Sequence, residues 1–312
     1  MIFFTVVMAT GIVALALREA GAADASWVLA AIAALTYAAL LARRPSGPRS
    51  RGEAVGWFAF VAASEVLSSL SRWHALSVVL WAGGLAAWLV IVPVVLGTPR
   101  LEDERVRGSW LLAVVATNSL AVAAAPIASR AHDGVLLGFA YAWWLCALAI
   151  YARLAWLMLG RIWRRELGID DLHGDHWVAM GALAISTLAG VRLLAAATTL
   201  DWSGGIHDAT RALTIALWIG ALCWLPALVA SETWRLRQRP LYTHERWSTV
   251  FPLGMLAVAS HGLALAAGVA AASVFFDVFT PLSAAVWLAT AVGLLASLSR
   301  TPASAPDRPR AP

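Results

Sequence analysis

The chain of 312 residues contains no lysine, so all 23 of its basic residues are arginines. Only 13% of its residues are charged, about half of the ~25% that is typical of soluble globular domains. Hydrophobic residues make up 61% of the chain, and the mean hydropathy is +0.75. This composition excludes a disordered chain and an ordinary soluble enzyme.

Cysteine and cofactor motifs are also scarce. The two cysteines, Cys146 and Cys223, lie in apolar stretches, which predicts small buried hydrophobic side chains and neither a disulfide nor a pair of metal ligands. The sequence contains no HExxH motif, no glycine-rich phosphate loop and no paired histidines within apolar segments, which are the usual signs of zinc, nucleotide and haem sites. We therefore expect neither a metal nor a cofactor.

Long apolar runs fill almost the whole chain. A helix needs about 20 apolar residues to cross a bilayer, and breaks rich in Gly, Pro, Asp and Arg separate ten such runs. The expected fold is an all-α integral membrane protein with one ten-helix domain, residues 1–300. A disordered cytoplasmic tail, residues 301–312, follows it. The predicted spans are residues 2–17, 24–42, 54–71, 75–96, 109–129, 134–160, 177–198, 207–231, 247–273 and 278–298.

The first apolar run raises the alternative of a signal peptide, because small residues follow it at 20–23. A signal peptide has a basic segment before its apolar core, and no arginine precedes this run. We therefore expect a retained first helix.

The arginines are divided unevenly between the two sides of the predicted bundle. The loops after even-numbered spans and the tail hold 17 of them, the opposite loops hold four, and Arg153 and Arg192 fall within spans. Basic loops stay in the cytoplasm, which predicts a multi-pass protein of the inner membrane with both termini cytoplasmic. Contact with anionic lipids explains most of these arginines. They form no single stripe, so the sequence does not indicate nucleic-acid binding.

Tryptophan marks a repeat along the chain. Trp57, Trp110, Trp177 and Trp247 each begin an odd-numbered span, at spacings of 53, 67 and 70 residues. Because tryptophan favours the headgroup level of a bilayer, these residues mark the cytoplasmic ends of the spans. The repeat unit is therefore one helical hairpin, and five hairpins fill the chain.

Odd and even spans differ in composition. Even spans carry tryptophans in their interiors, whereas the interiors of odd spans have none and are rich in Ala, Gly, Ser and Thr. Small residues let helices approach closely, and bulky residues suit an outer layer. The pattern predicts an inner ring of five odd helices surrounded by five even helices. From the pattern alone, the centre of this ring is either a pore or a solid packed core.

Four segments on odd spans carry recognisable motifs. They are FTVVMATGI (4–12), WLLAVVATNS (110–119), WVAMGALAISTLAG (177–190) and WSTVFPLGM (247–255). In this order they resemble motifs of the tellurite-resistance/dicarboxylate transporter (TDT) family, which includes TehA-type channels and the slow-type anion channels of plants. The resemblance implies a homotrimer in which the odd helices of each protomer line a pore for small anions. The implied substrates are C4-dicarboxylates such as malate, or chloride, nitrate and sulfite.

The resemblance also implies a gate. Phe251, which precedes Pro252, matches the position of a phenylalanine that closes the pore in channel members of the family. The alternative is ordinary packing, because Phe251 lies only about 6 Å of helix rise beyond Trp247. Pro126 and Pro252 are the only prolines on predicted odd spans, so the pore is expected to be straighter than in the plant channels.

Two polar residues lie deep within odd spans. Glu65 and Asn118 each follow the tryptophan of their span by eight residues, which places them about 12 Å inside the membrane. Asn118 stands where the family motif has glutamine. An intramembrane carboxyl group is a functional candidate, and Glu65 suggests a proton-coupled carrier for dicarboxylates or sulfite. The alternative is a glutamate paired with Arg192 or with a backbone donor.

Other polar residues on odd spans are candidates for anion contacts. Arg192 could attract anions at the external mouth or extend to the interface, and His261 could be a pH-sensitive pore residue or a packed one. Six hydroxyl groups could line the axis, although such groups often bond to their own backbone. They belong to Thr10, Ser64, Thr117, Ser186, Thr187 and Ser260.

A membrane enzyme is the remote alternative. Residues 170–176, DDLHGDH, superficially resemble the acidic magnesium-binding motif of a prenyltransferase. The only other acidic cluster, residues 102–104, is short and flanked by arginines. We therefore predict a transporter of small anions and no catalytic activity.

Overall fold

The structure is a computed structural model that describes residues 2–43, 47–48, 50–96, 107–164, 176–202, 204–238 and 242–299. These residues form ten α-helices and no strands. The helices are α1 (Ile2–Glu19), α2 (Ala23–Ala42), α3 (Arg51–Leu70), α4 (His74–Leu96), α5 (Leu112–Ala131), α6 (Gly134–Trp163), α7 (Trp177–Thr199), α8 (Gly205–Gln238), α9 (Trp247–Ala266) and α10 (Ala271–Ser299). The expected tail, residues 301–312, lies outside the described residues.

The predicted all-α membrane fold is confirmed. Among the described residues, nine helices are long and apolar enough to cross a membrane, namely α2 to α10. The remaining helix, α1, has 18 residues and packs between α3 and α9. It therefore takes the same place in the bundle as the other odd helices.

The odd helices form a closed inner ring. Each one contacts the next odd helix along the chain, and α9 contacts α1 to complete the circle. Each even helix packs outside, against the odd helix that precedes it. In the spans of α3, α5, α7 and α9, 72 to 94% of residues are buried, against 17 to 22% in the even helices. The two compositions predicted from the sequence therefore correspond to an inner and an outer layer.

The two cysteines correct one prediction. Cys146 on α6 and Cys223 on α8 are free and exposed, although the apolar runs around them indicated burial. Both helices belong to the outer layer, where the bilayer replaces protein packing. An apolar sequence in a membrane helix therefore does not show whether a residue contacts protein or lipid.

Short turns join the two helices of each hairpin, and one of them corrects a predicted boundary. The sequence suggested spans 247–273 and 278–298, but α9 ends at Ala266 and α10 begins at Ala271. The chain reverses at Gly268, whose φ of +69° lies in the left-handed region that glycine adopts without steric cost. Asp277, in the predicted break, is instead an exposed residue of α10.

The tryptophans at the starts of odd helices have a different environment from the predicted one. Trp177 and Trp247 are the first residues of α7 and α9, but they are 5% and 1% exposed. Trp110, in the 3₁₀ turn before α5, is 7% exposed. These side chains pack inside the bundle and do not lie among lipid headgroups.

Aromatic side chains of the outer layer join neighbouring hairpins through hydrogen bonds. In each case a residue on an even helix bonds to a polar group on the next odd helix, and we call these five contacts the aromatic clamps. Four are tryptophan Nε1–H donors and one is a tyrosine–serine hydroxyl pair. The clamps are Tyr37–Ser64 (2.7 Å), Trp88–Thr117 (2.8 Å), Trp144 to the Ser186 carbonyl (2.8 Å), Trp218–Ser260 (2.9 Å) and Trp287–Thr10 (2.9 Å).

Loss of one clamp acceptor is expected to destabilise the bundle. In Thr10→Val, the Nε1–H of Trp287 loses its partner, and an unpaired buried donor costs about 1 kcal/mol or somewhat more. Thr187→Val is the matched control, since the Thr187 hydroxyl bonds only to the Leu183 carbonyl of its own helix. Unfolding in mixed micelles should show the larger loss for Thr10→Val. Equal losses would contradict a stabilising role for the clamp.

Candidate functional site

The clamps identify the side of each odd helix that faces the centre of the ring. Nine residues of an α-helix make two and a half turns, so side chains nine positions apart point in opposite directions. Thr10 of α1 and Ser260 of α9 face the outer layer, where they accept clamp hydrogen bonds. Glu19 and Phe251, each nine positions away, therefore lie on the side facing the axis, which we call the axis side.

The same spacing applies to α5 and α7. Thr117 accepts a clamp from α4, and Leu183 faces α8, where a Cβ on Gly220 would lie 3.4 Å from its Cδ1. The residues nine positions further on are Pro126 and Arg192, so both lie on axis sides. Both are also partly exposed, although most of their neighbours on these inner helices are buried.

Apolar side chains fill the ring near Phe251. Phe251 is 1% exposed, as are Ile12 on α1 and Ile185 on α7. Ile185 lies two turns before Arg192 on the same side of α7. A Cβ on Gly254 would lie 3.0 Å from Ile12 Cγ2. Because Gly254 follows Phe251 by about one turn of α9, Ile12 lies about one helical turn from the level of Phe251. Buried apolar side chains from α1, α7 and α9 therefore lie on the axis side at this depth.

Pro252 has a separate position from Phe251. It contacts α7, where a Cβ on Gly181 would lie only 2.9 Å from Pro252 Cγ, so Gly181 permits this close approach of α9 to α7. Proline has no backbone N–H, which leaves the carbonyl of Ser248 without its helical donor. The Phe251 side chain thus adjoins a position where α9 has one hydrogen bond fewer.

Basic side chains collect at the end of the ring where the odd helices end. One comes from each inner helix or from the turn after it, and we call this set the cationic mouth. Its members are Arg18 of α1, Arg72 after α3, Arg130 of α5, Arg192 of α7 and His261 of α9. The charges of Glu19, Arg18 and Arg130 all act on Arg192, and that of Arg72 acts on Arg18. The four arginines therefore share one electrostatic environment.

Arg192 is the innermost arginine of the cationic mouth. A Cβ on Gly262 would lie 2.6 Å from the neighbouring Val191 side chain, so Arg192 lies near Gly262, about 16 Å of helix rise beyond Phe251. Within the described part of the chain, its guanidinium makes no hydrogen bond or ion pair. A partly buried cation without a partner favours an anionic ligand.

The other members of the mouth have protein contacts. Arg18 donates to the carbonyls of Ser69 and Leu70 at 3.3 and 3.4 Å, which caps the end of α3. Arg72 lies over the ring of Trp27, 4.2 Å from its centroid, in a cation–π contact. These contacts hold Arg18 against the end of α3 and Arg72 against the outer helix α2.

The predicted hydroxyl groups do not collect at the axis. Thr10, Ser64, Thr117 and Ser260 are clamp partners on the outward sides of their helices. Thr187 bonds to its own helix at the Leu183 carbonyl. In this structure these groups therefore pair with other protein groups.

Asn118 joins two inner helices. Its Nδ2 donates to Ser186 Oγ on α7 at 2.8 Å, and both side chains are buried. Asn118 Oδ1 has no hydrogen-bond partner among the described residues. The contact lies in the wall between α5 and α7 and fixes the two helices relative to each other.

Glu65 lies between the inner and outer layers. It is 1% exposed, and neither carboxylate oxygen has a hydrogen-bond partner within the described residues. The carboxylate packs on Gly84 of α4, where any Cβ would overlap it. No ion pair joins it to Arg192 in the described structure, so the pairing considered from the sequence is not formed.

His261 lies at the edge of the mouth. Its ring centroid is 4.4 Å from that of Phe276 on α10, and its Nε2 is 3.7 Å from Glu19 Oε2. The structure therefore brings His261 and Arg192 to the same end of the ring, with Glu19 beside His261.

Sequence reasoning missed Arg18, Arg72, Arg130 and Glu19. The three arginines were counted as residues of loops and used only to predict orientation, and Glu19 was not considered. Their recurrence in the last turn of an odd span, or just after it, was a detectable signal. Residues 170–175 of the acidic stretch considered for an enzyme lie outside the described residues. Among the described residues, no cluster of His, Cys, Asp or Glu could hold a metal ion.

Comparison with known proteins places this ring in a family. The family model described as "Voltage-dependent anion channel" (SLAC1) matches residues 53–295, which is more than half of the chain. The chain belongs to this family. The resemblance noted from the four motifs is thereby confirmed, and members of the voltage-dependent anion channel family carry anions across membranes and are not enzymes.

Curated relatives agree with a membrane location. The chain is similar to an "Uncharacterized membrane protein" of Mycobacterium tuberculosis, found in strains CDC 1551 / Oshkosh and ATCC 25618 / H37Rv. The identity is 33% over 158 residues, which cover 49% of this chain and 78% of the relative. This channel-family chain is therefore a multi-pass membrane protein, as expected.

Cysteine labelling should distinguish the axis side from the packed side of α7. Arg192→Cys places a thiol in the cationic mouth, whereas Leu193→Cys places one at a neighbouring, fully buried position. In a background with Cys146 and Cys223 replaced by Ala, a charged thiol reagent should modify Arg192→Cys and leave Leu193→Cys unmodified. Modification of Leu193→Cys alone would show that the opposite side of α7 faces the axis and would contradict the orientation described here.

Proposed function

We propose that the protein conducts small anions along the axis of its inner ring, between the cationic mouth and the opposite end. The observation that carries the proposal is the arrangement of two axis-side residues. Arg192, at the mouth, makes no hydrogen bond or ion pair with the described residues, and Phe251 is buried deeper in the ring. Membership of the voltage-dependent anion channel family also supports the conduction of anions.

The two residues have different roles in this proposal. A cluster of positive charge at the opening of a low-dielectric passage raises the local concentration of anions. The phenyl ring of Phe251 closes the narrow apolar segment by occupying it and by excluding water. Pro252 weakens the helical hydrogen bonding beside the ring, which facilitates movement of Phe251. The cationic mouth thus selects charge, and Phe251 controls passage.

The substrate class follows from the same groups. The mouth suits small inorganic anions such as chloride, nitrate and sulfite, and also the carboxylates of C4-dicarboxylates such as malate. An apolar segment around Phe251 favours anions that lose water readily. We therefore expect chloride and nitrate to permeate better than the doubly charged dicarboxylates.

Orientation and assembly are part of the proposal. The excess of arginine in the loops after even helices supports cytoplasmic termini and an inner-membrane location. The cationic mouth then opens on the external side. The resemblance to TDT proteins supports a homotrimer with one pathway in each protomer, embedded in lipid through the apolar even helices.

Removal of the phenyl ring should open the pathway. Phe251→Ala is expected to raise chloride flux into proteoliposomes about tenfold or more, which corresponds to a barrier lowered by roughly 1.4 kcal/mol. Phe279→Ala is the matched control, because Phe279 is a buried residue of the outer helix α10. It should leave the flux near the wild-type level.

Two results would count against the proposal. Equal chloride flux in the wild type and in Phe251→Ala would contradict the gating role of Phe251. If neither protein carries chloride, nitrate, sulfite, malate or succinate, the proposal of anion transport is contradicted as well.

A proton-coupled carrier is the second candidate, and Glu65 is the observation that favours it. A fully buried carboxyl group without a hydrogen-bond partner in the described structure is costly in its charged form. It would therefore bind a proton in the closed state. Release of that proton during transport would couple anion export to the proton gradient.

Reversal potentials separate the two candidates. A carrier that uses Glu65 should show a reversal potential that shifts with an imposed pH gradient, and Glu65→Gln should abolish the shift because the amide cannot exchange a proton. A channel should show no shift in either protein. Glu53→Gln, at the exposed start of α3, controls for the general effect of losing a carboxylate from this helix.

A further inference from the structure

Glu19 is an acidic residue in a position that disfavours it locally. It is the last residue of α1, and the carbonyl groups at a helix C-terminus carry partial negative charge that destabilises a carboxylate there. It also lies on the axis side, opposite the clamp acceptor Thr10. A carboxylate in such a position needs nearby basic groups to stabilise its negative charge.

The cationic mouth supplies that compensation. Glu19 Oε2 lies 3.7 Å from His261 Nε2, and Glu19 Oε1 lies 3.9 Å from an Arg18 guanidinium nitrogen. Arg192 lies at the same level, because its neighbour Val191 contacts Gly262, the residue that follows His261. The carboxylate thus faces basic groups from three inner helices.

Neither contact is short enough to be a hydrogen bond. Charge-assisted hydrogen bonds have heavy-atom distances of about 2.7–2.9 Å, and both of these contacts are longer. The Glu19 side chain is also about one quarter exposed. Its carboxylate is therefore held by the electrostatic field of the mouth and can leave without breaking short hydrogen bonds.

We propose that the cationic mouth is a binding site for one small anion and that the Glu19 carboxylate occupies this site when no anion is bound. The ligand is a monovalent inorganic anion or a single carboxylate group, because these match the charge and size of the group they replace. An incoming anion takes the place of Glu19 beside Arg192 and His261. Glu19 thereby sets the anion concentration at which the mouth fills.

The inference deepens the proposed function, because the same mouth opens the pathway, but its test does not require transport. The probe is chloride, varied against gluconate at constant ionic strength and fixed pH, and the measurement is thermal stability of the full-length protein in detergent. Binding to the folded state raises the melting temperature with increasing ligand. The half-saturating chloride concentration is the quantity compared.

Removal of the resident charge should strengthen binding. Glu19→Gln is expected to lower the half-saturating chloride concentration about fivefold or more, a factor equivalent to roughly 1 kcal/mol. Glu19→Asp keeps the charge and should stay near the wild type. Asp24→Asn, which removes an exposed carboxylate from the first turn of α2 at the same end of the bundle, should have little effect.

A double variant tests the site itself. If chloride replaces Glu19 beside Arg192, then Glu19→Gln combined with Arg192→Gln should lose most of the gain in affinity seen in Glu19→Gln alone. Gel filtration of each variant shows that the proteins compared are folded.

Several results would overturn the inference. They are an unchanged half-saturating concentration in Glu19→Gln, an equal shift in Asp24→Asn, or stabilisation by neither chloride nor nitrate in any of the proteins. A protein that binds chloride with the expected shift but conducts no anion would retain this inference and overturn the proposed function.

Discussion

The fold depends on the requirement that a polar group inside a membrane have a partner. The bilayer supplies no water to pair with a hydroxyl or an indole N–H, and the clamps meet this need across the boundary between hairpins. In each clamp, an aromatic residue of one hairpin bonds to the inner helix of the next. Hairpin turns bind each outer helix to the inner helix before it, so the clamps provide the second attachment. Together they hold the five inner helices at fixed rotations about their own axes.

This rotation determines which residues face the centre. Once the polar side of α9 is fixed toward α8, Phe251 is directed to the axis; once α1 is fixed toward α10, Glu19 is directed there too. The orientation of Phe251 and Glu19 thus depends on hydrogen bonds on the opposite side of the same helices. A change in a clamp would rotate an axis residue as well as weaken the bundle.

Much of the architecture was predictable from the sequence, because it depends on composition averaged over whole spans. The five hairpins, the two layers and the family followed from apolar runs, tryptophan placement and four motifs. The direction of single side chains did not follow. Inner helices are apolar on every side, so no hydrophobic face distinguishes Thr10 from Glu19. The contact of Glu65 with Gly84 joins α3 to α4, and nothing in the sequence of α3 alone indicates it. The mouth was missed because Arg18, Arg72 and Arg130 lie far apart in the chain and converge only when the ring closes.

The contact between Trp287 and Thr10 closes the circle, and it has a topological consequence. The last hairpin meets the first with a tryptophan clamp, as do three of the other four neighbouring pairs. No interface of the ring is therefore distinguished by the positions of the chain ends. The order of hairpins along the polypeptide is one of five equivalent cyclic orders. A chain opened between α2 and α3, with its original ends linked, would contain the same set of neighbours.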